Sequence, residues 1–106
     1  MTYKYLDPWM HTICISEGGK YFKYRLPYNT GDDEEDLYDG LHVGQEFEFW
    51  KTNDKDLFIT SDEGSVKNIH LFSGGTVTDC GTTLQITGQK YCKLVYNGIS
   101  WFAYVH

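Results

Sequence analysis

Alanine is almost missing from this chain: Ala103 is the only one in 106 residues. Helices are built most readily from alanine and unbranched residues, and no stretch repeats its apolar residues at helical spacing. Cations are also scarce. Nine Lys and Arg face fifteen Asp and Glu, for a net charge of −6. A protein that grips nucleic acid carries a basic face able to neutralise several phosphates. Here only Lys20, Lys23 and Arg25 cluster, among aromatics, so no nucleic-acid partner is expected.

Long apolar runs are absent too. None approaches the ~20 residues of a membrane-crossing helix, so no membrane partner is expected. Met1 to Trp9 lacks the basic start and apolar stretch of a secretory leader, so folding in a cytosol, or delivery by assembly into something larger, is expected. The three cysteines, Cys14, Cys80 and Cys92, form no C-x-x-C motif. They read as buried thiols, with a Cys80–Cys92 bridge open only to an oxidising setting.

Catalytic and metal-binding patterns are missing as well. His11, His42, His70 and His106 form neither H-x-H nor H-E-x-x-H. Ser73 and Ser100 sit in no G-x-S-x-G elbow. Glu46 and Glu48 alternate along one strand, as on an exposed edge, rather than facing each other across a cleft. Asp32-Asp33-Glu34-Glu35-Asp36 invites a calcium reading, but Leu37 stands where an EF-hand loop needs glycine. The expectation is a non-enzyme with no cofactor and no metal.

What the chain has is strand-forming residues. Aromatics make up 17% of it, alongside many Val, Ile and Thr. Short alternating runs span 11–16, 20–26, 45–51, 56–60, 66–72, 76–79, 83–87, 90–96 and 99–105, broken by Gly, Asn, Asp and Ser. Gly18-Gly19 turns the first run into the second, Gly74-Gly75 ends the pair of runs 56–60 and 66–72, and 76–79 and 83–87 pair around Gly81. About eight or nine such strands predict one all-β sandwich or barrel. Asn97-Gly98 is the sharpest local signal, predicting a two-residue type I′ hairpin turn between 90–96 and 99–105.

Five consecutive carboxylates, Asp32 to Asp36, repel one another and predict a solvated or partner-facing loop. The aromatics exceed what so small a core can bury: Trp9, Trp50 and Trp101, with Tyr3, Tyr5, Tyr21, Tyr28, Tyr38, Tyr91 and Tyr104. Tyr and Trp are favoured at interfaces, and exposed rings also stack on sugars. Trp101 is assigned to the core or a subunit seam, Trp9 and Trp50 to a partner.

An ordered set of features over residues 26–105 carries a resemblance. Leu26-Pro27 precedes a loop; Gly44-Gln45-Glu46-Phe47-Glu48-Phe49 follows; then come the polar turn Thr52-Asn53-Asp54-Lys55-Asp56 and the strand Leu57-Phe58-Ile59. The ending is Lys93-Leu94-Val95-Tyr96-Asn97-Gly98-Ile99-Ser100-Trp101. This order resembles small β-sandwich, jelly-roll-like domains of tailed-phage virions, found in head decoration proteins and in fibre or spike heads. The acidic loop at 32–40 is longer than in that pattern, and residues 1–25 have no counterpart in it.

The resemblance implies a single jelly-roll-like antiparallel β-sandwich at 26–106, with 1–25 as an N-terminal arm or extra strands. It implies a homotrimeric decoration (cement) protein that binds the major capsid protein on the capsid exterior. A receptor- or glycan-binding fibre head, touching cell-surface glycan, is the alternative. The short chain favours decoration over a fibre. Partner contacts are then expected at Trp9, Met10, Tyr21, Asp32, Asp33, Glu34, Glu35, Asp36 and Trp50, with Asn97, Gly98 and Trp101 holding the fold.

Overall fold

The computed structural model describes residues 3–6, 10–15, 23–27, 43–61 and 68–106. Among them are ten strands and no helix: β1 (Lys4–Tyr5), β2 (Thr12–Ile15), β3 (Lys23–Arg25), β4 (Glu46–Lys51), β5 (Leu57–Thr60), β6 (Ile69–Ser73), β7 (Thr76–Asp79), β8 (Thr83–Ile86), β9 (Tyr91–Tyr96) and β10 (Trp101–Val105). Nine overlap the alternating runs of the sequence. The two-residue β1 is additional, too short to leave a period-two pattern.

Two sheets form, one ordered β1-β3-β5-β8 and the other β2-β4-β9-β10-β6-β7. Alternation decides which side chains meet between them. Phe47 and Phe49 of β4, Cys92 and Leu94 of β9, and Trp101 and Ala103 of β10 turn inward and are buried. Tyr24 and Ile59 reach them from the smaller sheet, and the Tyr24 and Phe49 rings meet edge-on at 5.3 Å.

The expectation of antiparallel pairing throughout does not hold. Pairs β1–β3, β3–β5, β2–β4 and β6–β10 are parallel; β9–β10, β4–β9, β5–β8 and β6–β7 are antiparallel. From β1 to β6 each successive strand belongs to the other sheet. A strand that crosses over and returns lies parallel to the one two places earlier, the intervening strand serving as the crossover. So β2 and β3 are not hairpin partners across Gly18-Gly19, and β7 and β8 are not partners across Gly81. Gly74-Gly75 ends β6, as expected, and joins it to β7, while β5 and β6 lie in different sheets. Turn residues alone do not say whether a chain reverses within a sheet or passes between sheets.

The hairpin turns also exchange roles. Gly74 and Gly75 have φ of 58° and 81° between the paired Ser73 and Thr76. This is the double positive φ that a type I′ turn demands. At Asn97-Gly98 the last pair is Tyr96 with Trp101, leaving a four-residue loop, 97–100, instead of a two-residue turn. The Asn97 carboxamide oxygen accepts from the backbone N–H of Ile99 (2.9 Å) and Ser100 (2.7 Å). The Tyr96 hydroxyl donates to the Gly98 carbonyl at 2.9 Å.

Asn97 therefore specifies this loop through its side chain. Asn97→Ala leaves two backbone donors without their acceptor and is expected to cost about 1–2 kcal/mol in urea denaturation. Asn97→Asp retains an acceptor and is expected to lose less than half as much.

Candidate functional site

Strand β4 runs inside the larger sheet, between β2 and β9, so Glu46 and Glu48 do not lie on a sheet edge. Its alternation buries Phe47 and Phe49 and turns Glu46, Glu48 and Trp50 to the outer face. β10 does the same: Trp101, Ala103 and Val105 point inward, leaving Phe102 and Tyr104 outward. Strand register then lines the outward residues up in rows. One row runs Glu48, Lys93, Tyr104, Phe72, Val77 across β4, β9, β10, β6 and β7. The next runs Glu46, Val95, Phe102, His70, Asp79.

The result is an aromatic face. Trp50 is 49% exposed and Tyr104 51%, with Phe72 and Phe102 exposed between them and the β7 edge. Phe102 takes edge-on contacts from Phe72 at 5.2 Å and His70 at 5.9 Å. Trp50 leans on Tyr91, ring centres 4.6 Å apart. Trp50, Tyr91, Tyr104 and His106 line an open depression of about 280 Å³. Charges of both signs flank the rings: Lys93 Nζ lies 3.3 Å from a Glu46 oxygen, and His11 Nε2 lies 3.6 Å from the other.

Comparison of the chain with protein-family models, curated proteins and solved structures returned no match.

The site therefore stands on its own geometry. Trp50 is placed where a partner could reach it. Met10 is partly buried and packs against the core. Trp101 is fully buried. Trp9, Tyr21 and the acidic residues Asp32, Asp33, Glu34, Glu35 and Asp36 lie outside the described residues. The basic cluster shows its Lys23 and Arg25 on the smaller sheet, where their cationic heads lie over aromatic rings. Lys23 Nζ is 5.5 Å from the Phe58 ring centre, and the Arg25 guanidinium is 5.0 Å from that of Tyr3.

Sequence reading missed Phe72, Val77 and Phe102 as parts of one surface. Their alternation was visible, but the β6–β10 pairing that joins them is parallel and long-range.

Among the described residues, no three His, Cys, Asp or Glu side chains are grouped so as to hold a metal ion. Lys51 turns inward at the end of β4, where its amino group donates to the Lys55 carbonyl. Burial and the nearby Lys90 charge lower its pKa. That lysine braces the 52–56 turn.

All three cysteines are free, Cys14 exposed and Cys92 buried. Burial pushes the Cys92 thiol up to about 12. At pH 8, iodoacetamide is expected to modify Cys14 and spare Cys92 until the protein unfolds, as peptide mass spectrometry would show. The linkage has a definite sign, because the folded state holds this proton more tightly. Its stabilising effect is complete below the ordinary thiol pKa and is lost as pH rises from there toward 12. Tyr24, also raised by burial, adds in the same direction.

Proposed function

We propose that this chain is a non-enzymatic attachment module that binds a protein surface through the outer face of its larger sheet. On the sequence resemblance, that surface is the outer shell of a tailed-phage capsid and the chain a decoration subunit. One observation carries the reading: Trp50, Phe72, Val77, Phe102 and Tyr104 are all exposed and all lie on one sheet face. Scattered exposed apolar residues need no explanation, but a contiguous set with a polar rim marks an interaction site. An aromatic centre with charges at its margin is the usual anatomy of a protein interface.

Nucleic acid fits this face poorly, since among the described residues Glu46, Glu48 and Asp79 flank it against Lys93. The two-sheet, all-β architecture is shared at a coarse level by many binding domains, and function rests on the site rather than on the fold. Several copies on one shell would multiply weak contacts into firm attachment without any new chemistry. The test is co-sedimentation with shells assembled from the major capsid protein encoded in the same genome. Saturable binding is expected, and its absence would contradict the capsid reading.

The depression at Trp50, Tyr91, Tyr104 and His106 favours a second reading, a saccharide ring stacked on the Trp50 and Tyr104 side chains. Glycan-array binding abolished by Trp50→Ala, with no binding to shells, would select it.

A further inference from the structure

We propose that β7 is a self-pairing edge, at which a second copy of this chain adds its own β7 antiparallel about a two-fold axis. Among the described residues, β7 closes one side of the larger sheet and pairs with β6 alone. All four of its residues are exposed, so neither face of the strand is covered. The other edge strands differ: β1 has only two residues, while β2 and β8 each bury part of their length. Natural edges are blunted by lysine, proline, bulges or shortness. Thr76-Val77-Thr78-Asp79 has no lysine or proline, and three of its four residues are β-branched strand formers.

The hairpin fixes which backbone groups are open. Ser73 pairs with Thr76 across the two-glycine turn, and Cys80 N–H donates to the Ile69 carbonyl at 2.9 Å. By alternation, Thr76 and Thr78 bond to β6, while the N–H and C=O of Val77 and Asp79 point away from it. Two copies related by a two-fold axis at Thr78 place Val77 of each opposite Asp79 of the other. That register forms four N–H···O=C bonds from groups that otherwise face water.

The Asp79 carboxylate does not obstruct it. Its oxygens accept from Gly81 N–H (2.8 Å) and Asn68 Nδ2 (3.2 Å) of the same chain. Val77, 55% exposed, ends the apolar row that begins at Tyr104 and Phe72, so pairing continues the aromatic face from one copy into the next. The inferred contact is two-fold, in place of the three-fold assembly that the resemblance implies. It rests on the edge alone and stands or falls separately from the capsid reading.

The test is sedimentation velocity from micromolar to millimolar concentration, with site-directed crosslinking. The full chain is expected to show a concentration-dependent dimer. Val77→Lys, with unchanged circular dichroism, is expected to raise the dissociation constant about tenfold or more, as loss of cross-strand pairing predicts. In a C14S/C80S background, Thr78→Cys is expected to form a disulfide-linked dimer under mild oxidation. Non-hydrogen-bonded partners lie about 4.5 Å apart at Cα, within disulfide reach. Val77→Cys, diagonal to its symmetry mate, is expected to stay unlinked. A monomer at every concentration, or equal crosslinking of both variants, would overturn the proposal.

Discussion

Trp101→Ala is expected to destabilise the protein by about 4 kcal/mol, the range of buried tryptophan truncations. Trp101 is fully buried at the start of β10, its ring 5.3 Å from Tyr96 and 5.8 Å from Phe47. β10 is central, paired with β9 on one side and β6 on the other, so a cavity there loosens both neighbours. A domain of this size has only about 5–15 kcal/mol of stability in all. The variant should therefore show a greatly reduced urea midpoint or accumulate as insoluble protein. Trp101→Phe is informative beside it. The Trp101 indole N–H is buried without a hydrogen-bond partner among the described residues. Phenylalanine removes that unsatisfied donor while keeping a ring, so its cost is expected to fall to about 1–2 kcal/mol.

Trp50→Ala and Tyr104→Ala should have the opposite profile. Each side chain is half exposed on the outer face, and among the described residues Trp50 makes one ring contact, with Tyr91. Loss of that contact is expected to cost about 1 kcal/mol of stability at most. Aromatic residues at the centre of an interface commonly contribute about 2 kcal/mol or more, roughly thirtyfold in dissociation constant. Each substitution is expected to weaken attachment to capsid shells by about that factor. The double variant should abolish measurable binding while its thermal midpoint stays within a few degrees of wild type.

Fold class and strand positions were legible because alternation and the near absence of alanine are local signals. Trp101 was assigned to the core or a subunit seam, and it is buried. Strand partners were not legible. The β9–β10 hairpin was found from Asn97-Gly98, yet its turn type went to Gly74-Gly75, because the Asn97 side chain builds a longer loop. The parallel pairs left no trace at all, since β1–β3, β2–β4 and β3–β5 are each separated by a strand of the opposite sheet and β6–β10 by three strands. Trp50 was assigned to a partner from surplus aromatics alone. The face around it needed register, which joins β4 to β9, β10 and β6 across up to half the chain.

Hydroxyl-radical footprinting of the chain, free and bound to capsid shells, tests the attachment face most directly. The rings of Trp50, Phe72, Phe102 and Tyr104 are expected to be oxidised in the free protein and protected in the complex. Tyr5 and Phe58, on the smaller sheet, are expected to react equally in both. Unchanged oxidation of the four outer rings in a complex that forms would contradict the account.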